Sequence, residues 1–156
     1  MNMPERFDLT CINEKGEKER IVMIHAAIMG SIERFLSVLI EHLGGAFPLW
    51  LSPVQVKVLP VSEKHVVYAN EILAELRAAN IRAEVDDANE SLGKKIRNAK
   101  TEKIPYLLVV GDKEVEAKTI SIDSRLPAQA GDAGKLDITS LSDFIAKASE
   151  EIRLRK

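Results

Sequence analysis

From Val54 onward, strand-sized and helix-sized apolar patterns alternate. That alternation predicts an α/β fold with a mostly parallel core sheet and helices on both faces. The β-branched runs are short and bounded by proline or glycine, as in Pro105-Tyr106-Leu107-Leu108-Val109-Val110-Gly111. The helical stretches between them keep their apolar residues on a single stripe.

The elements follow in order. Residues 6–12 alternate apolar and polar side chains, predicting a half-buried strand. Asn13–Lys18 is a charged turn, and Ile21–Ile28 is β-rich, so the two segments predict a hairpin. Ser31 suits the cap of a helix bearing Ile32, Phe35, Leu36, Leu39, Ile40 and Leu43, and Gly44-Gly45 ends it. Ala46–Pro53 is an apolar connector with two prolines and marks the domain boundary, which divides the chain into residues 1–45, 46–53 and 54–156. Beyond it, Val54–Leu59 is a strand, and Ser62 caps a helix with Val66, Ala69, Leu73, Leu76 and Ala79 on one face. Arg82–Asp86 is a second strand, and Asn89 is placed to cap a short helix with Leu92 and Ile96 inward. Tyr106–Val110 and Lys118–Ile122 are further strands, and Pro127–Gly134 is a loop. Ser140 with Asp143 forms a capping-box pattern before a last helix that turns Leu141, Phe144, Ile145, Ala148 and Ile152 to one side.

Composition narrows the functional classes. The 156 residues are 46% hydrophobic and 29% charged, the mix of a globular chain. A net charge of -2 confines any nucleic-acid contact to a local patch. The clearest such patch is Lys94, Lys95, Arg97, Lys100 and Lys103, broken only by Glu102; it reads either as a phosphate-tracking face or as a solvated helix face. Cys11 is the only cysteine, which suits a reducing cytoplasm. No apolar run is long enough to span a bilayer, and the first residues lack the pattern of a signal peptide. No Gly-x-Gly-x-x-Gly or Walker A stretch supports a nucleotide site.

Several separated motifs point to one family. Gly30-Ser31-Ile32-Glu33-Arg34-Phe35 resembles motif 3 of the class II aminoacyl-tRNA synthetases. His25–Phe35, Phe47–Val56, Asn89–Arg97 and Ile104–Glu114 resemble, in order and spacing, threonyl-tRNA synthetase. The resemblance implies that residues to about Leu43 close a class II catalytic domain. From about Val54 it implies a three-layer anticodon-binding domain with a five-stranded mixed sheet. Asn2–Asp8 resembles internal family sequence, so the expectation is a truncated chain. Motifs 1 and 2 are missing from it, and the chain alone is expected to be inactive in aminoacylation.

The resemblance also implies roles. Arg34 matches an ATP contact and Ser31 a neighbour of the aminoacyl group. His25 matches one of three ligands of a catalytic zinc, too few to hold the metal alone. Cys11, His42 and His65 are not at ligand positions. ATP, magnesium and zinc are implied for the full-length enzyme, and no cofactor is expected for this chain. Asn89 and Glu114 match family residues that contact anticodon bases, and Lys103 stands where the family commonly has an arginine that does so; the three are expected to converge on one groove, with Arg125 compensating for Asp123. Independently of the resemblance, the basic residues Lys94, Lys95 and Arg97 would follow the phosphates. Ala88 and Asp123 stand where the family commonly has arginines. Threonine tRNA is the implied partner, with no DNA and no membrane; the full-length family is a homodimer, and this chain is expected as a monomer or weak dimer. The alternative is a stand-alone paralogue acting as a regulatory or protein-interaction subunit. Bottom-up readings compete at single positions: Asn89 as a helix cap, Glu114 as a turn acid.

Overall fold

The structure is a computed structural model that describes residues 3–24, 26, 29–125 and 137–155. It divides into two compact units, residues 1–39 and 40–156.

In the first unit a short helix, α1 (Met3–Arg6), precedes a two-stranded antiparallel hairpin, β1 (Thr10–Ile12) and β2 (Lys18–Arg20). The hairpin returns earlier than its apolar pattern predicts. Asn13 Oδ1 accepts from the Lys15 and Glu17 amides at 3.0 Å each, and Gly16 takes φ 79°, so a tight turn leads directly into Lys18. Residues 21–24 are not a strand, and β1 is exposed throughout rather than half-buried. Helix α2 (Ile32–Leu43) spans the division between the units, and none of its side chains is buried. Gly44 and Gly45 end it at φ 56° and 75°, with the Gly45 amide donating to the Ile40 carbonyl at 3.0 Å.

The second unit holds a mixed five-stranded sheet in the order β4-β3-β5-β6-β7: Ala83–Val85, Val56–Pro60, Tyr106–Val110, Thr119–Ser124 and Asp137–Ser140. The first three strands in that order are parallel, and β6 and β7 add antiparallel. Side chains alternate between its faces. Val56, Val58, Tyr106, Leu108, Val110, Ile120 and Ile122 meet α3 (Val66–Ala78) and α6 (Leu141–Leu154) in one core cluster. Leu59 and Leu107 meet α4 (Leu92–Thr101) on the other face. The result is three layers.

Three helices and strands were not predicted: α1, α5 (Asp112–Ala117), and β7, too short to stand out. The predicted loop Pro127–Gly134 lies outside the described residues. Ser91, not Asn89, takes the N-cap position of α4. Ser62 precedes a 3-10 turn, Glu63–His65, rather than capping α3 through its side chain. Ser140 does cap α6, accepting from the Asp143 amide at 3.2 Å. Among the described residues no helix is long and apolar enough to cross a membrane.

Candidate functional site

The parallel strands give the sheet two chemically distinct edges. Pro60, Val85 and Val110 end at the carboxyl edge, where open α/β sheets bind their ligands. Asn89 lies in the loop leaving β4, and Glu114 in the first turn of α5, just beyond β5. With β3 between β4 and β5, their strands are two spacings apart, about 10 Å.

Lys103 and Arg125 are not at that edge. Helix α4 runs back along the sheet, so Asn89 before it and Lys103 after it fall at opposite ends, roughly 15 Å apart along the helix axis. Lys103 adopts φ 59° and donates from Nζ to the Gly44 carbonyl. The antiparallel β6 likewise carries Arg125 to the amino edge, where its guanidinium donates to the Phe47 carbonyl at 2.5 Å and burial lowers its pKa. The expected convergence of Asn89, Lys103 and Glu114 is therefore corrected to a pair, Asn89 and Glu114.

Asn89 is exposed. Glu114 is half-buried and engaged through both oxygens: Oε2 accepts from the Gly111 amide at 2.9 Å and Oε1 from the Ser121 hydroxyl at 2.7 Å. Gly111 has no side chain to reciprocate, so only the glutamate half of a capping box exists. Burial alone would raise this carboxyl, but the Ser121 hydroxyl and the backbone donors outweigh it and hold the pKa below the usual glutamate value. A depressed carboxyl contributes stability above its unfolded pKa, about 4.3, and that contribution is lost as pH falls through the folded value. Glu114→Ala is thus expected to lose about 1–2 kcal/mol at neutral pH, with the deficit shrinking in acid. Urea unfolding at neutral and acidic pH checks this; a deficit independent of pH would contradict it.

The basic patch divides. Lys94 is exposed and pairs with Glu90 at 2.7 Å, and Arg97 is exposed on the same helix. Lys95 does not belong to a phosphate-tracking face. It is 4% exposed, and its ammonium donates to the Asp86 carbonyl at 2.9 Å and the Pro60 carbonyl at 3.3 Å. Asp123 pairs with Lys100 at 2.7 Å.

The sequence reading excluded His65 as a zinc ligand and gave it no other role. It is buried, its Nε2 lies 2.9 Å from Asp112 Oδ1, and its Nδ1 lies 3.2 Å from Ser62 Oγ. It ties the loops after β3 and β5 together, and the hydrogen bond to His65 holds the Asp112 pKa down. Both ring nitrogens are occupied, so His65 offers no lone pair to a metal. His25 lies outside the described residues, and these include no group of three His, Cys, Asp or Glu that could hold a metal ion. Among the described residues no set fits a zinc site. Arg34 is exposed on α2, and Ser31 donates to Glu33 Oε2 at 2.6 Å.

A family model described as "Anticodon binding domain" matches residues 55–148. The chain belongs to this anticodon-binding domain family. It is 53% identical over 150 residues to the threonine–tRNA ligase of Caldanaerobacter subterraneus subsp. tengcongensis, covering 96% of the chain and 22% of that protein. It is 50% identical to the ligase of Clostridioides difficile, covering all of the chain and 24% of that protein. The chain thus spans less than a quarter of these curated relatives. Among solved structures, the RNA binding domain of threonyl-tRNA synthetase from Cryptosporidium parvum Iowa II matches with a TM-score of 0.70 and 35% identity, over 95% of this chain and 36% of that one. Prolyl-tRNA synthetase from Cryptosporidium parvum shares the fold at a TM-score of 0.63 and 22% identity, over 99% and 33%.

Proposed function

We propose that the chain reads the anticodon loop of threonine tRNA, as the tRNA-recognition part of a threonine–tRNA ligase in protein synthesis. The observation that supports this most is the carboxyl edge of the sheet. There an exposed Asn89, able to donate and accept, shares an edge with the carboxylate of Glu114. RNA is read specifically through unpaired bases, whose edges need such groups. Each Glu114 oxygen keeps a lone pair beyond the bond it already accepts. Lys94 and Arg97, exposed on α4, would follow the loop phosphates. Lys103 and Arg125 are assigned to fastening the connector.

In this reading residues 1–45 close a catalytic domain, 46–53 connect, and 54–156 bind the anticodon. ATP, magnesium and zinc chemistry belongs to the longer, homodimeric enzyme, where Arg34, Ser31 and His25 would take part. The chain alone is proposed not to aminoacylate, to need no cofactor, and to be a monomer or weak dimer. It would act in the cytoplasm, where the exposed thiol of Cys11 stays reduced. Filter binding with threonine tRNA and an anticodon-swapped control tests the proposal. Binding at least about fivefold tighter to threonine tRNA is expected, since one base-edge contact discriminates by about 1–3 kcal/mol; equal binding would contradict it.

A further inference from the structure

The Lys95 ammonium has three N–H donors and, among the described residues, two acceptors, the carbonyls of Pro60 and Asp86. Lys57, Lys94 and Lys100 each face a carboxylate, whereas no described carboxylate pairs with Lys95. Lysine is seldom buried unpaired, because an ammonium stripped of water needs its donors satisfied. Lys95 lines a cleft of about 50 Å³ together with Ser62 and Asn89. That is room for a few ordered waters, or for the edge of a ring that displaces them. Glu63, Asp87 and Glu90 also border it, so a phosphate would meet repulsion where an uncharged acceptor would not. Val61, 43% exposed at the rim, offers apolar surface to the ring.

We propose that this cleft takes the keto-bearing edge of one unpaired nucleobase, with Lys95 donating its third N–H to the keto oxygen beside Asn89. The proposal rests on the anticodon reading above and adds a specificity-determining group to it. Guanine O6 and uracil O4 are acceptors, while adenine and cytosine place an amino donor at the corresponding position. An ammonium attracts the first pair and repels the second. The anticodons GGU, CGU and UGU share a guanine and a uracil, both keto bases.

The test titrates a threonine-anticodon stem-loop by fluorescence anisotropy against the wild-type chain and Lys95→Met. Two further RNAs each lack one keto oxygen: 2-aminopurine for the shared guanine, and pyrimidin-2-one for the shared uracil. In the wild type one deletion is expected to weaken binding roughly tenfold, and in Lys95→Met the same deletion should cost nothing more. Deletions that cost the same in both proteins, or nothing in the wild type, overturn the assignment. Should Lys95→Met not fold, the Lys95 ammonium resonance of the wild type decides. It is expected to shift with the unmodified RNA and not with one keto-deleted RNA; equal shifts with all three overturn the assignment. If the wild type does not prefer the threonine anticodon over a swapped one, the anticodon reading falls and this assignment with it. If it does prefer it, without a Lys95-dependent keto effect, only this assignment falls.

Discussion

Phe144→Ala is expected to destabilise the second unit by about 3–5 kcal/mol, a loss of roughly 10–20 °C in Tm. Phe144 is 1% exposed and stacks edge-on against Tyr106, ring centroids 5.3 Å apart at 82°. It docks α6 onto the centre of the sheet, so its removal leaves a cavity that the surrounding strands cannot close. The Tyr106 hydroxyl donates to Glu151 at 2.8 Å, and burial followed by that carboxylate pushes the tyrosine pKa far above its ordinary value. The tyrosine therefore stays neutral and cannot swing out to fill the space without giving up that bond. Thermal unfolding by circular dichroism checks this, and a Tm loss of only a few degrees would contradict the docking of α6.

Gln55→Leu is expected to cost about 2–5 kcal/mol, although it exchanges a polar for an apolar side chain of similar size. Gln55 is fully buried; its amide donates to the Leu49 carbonyl at 2.8 Å, and its carbonyl accepts from the Arg82 backbone amide at 2.8 Å. The leucine would leave both backbone groups without these partners, the Leu49 carbonyl in the buried core and the Arg82 amide half-shielded. Arg82 also clamps the connector, donating to the carbonyls of Trp50 and Ser52. Hydrogen exchange reads the effect directly: the Arg82 amide should exchange much faster in the variant, and unchanged protection would contradict the clamp.

Much of the fold was legible because burial and periodicity coincide. Val56 and Val58 against Leu59, and Leu108 against Leu107, separate the two faces by simple alternation. The β7 strand was missed because Asp137–Ser140 is too short to set a period. The site was harder, for reasons the residues make plain. Lys95 was grouped with its basic neighbours by composition, yet Leu92, Lys95, Ile96 and Ala99 follow the i, i+3, i+4, i+7 spacing of an inward stripe, which is where it lies. Lys103 was grouped with Asn89 by motif, yet a helix between two parallel strands must begin at one edge and end at the other. Both signals were present in the sequence. The engagement of Glu114 by Ser121, and of His65 by Asp112, depends on contacts between separate elements that no local pattern encodes.

The account stands on the carboxyl edge of the sheet meeting the RNA. Amide chemical-shift mapping with a threonine-anticodon stem-loop tests this most directly. Shifts are expected at Ser62, Asn89, Gly111 and Glu114, with Lys103 and Arg125 undisturbed. Shifts concentrated at Lys103 and Arg125, with the carboxyl edge silent, would contradict it.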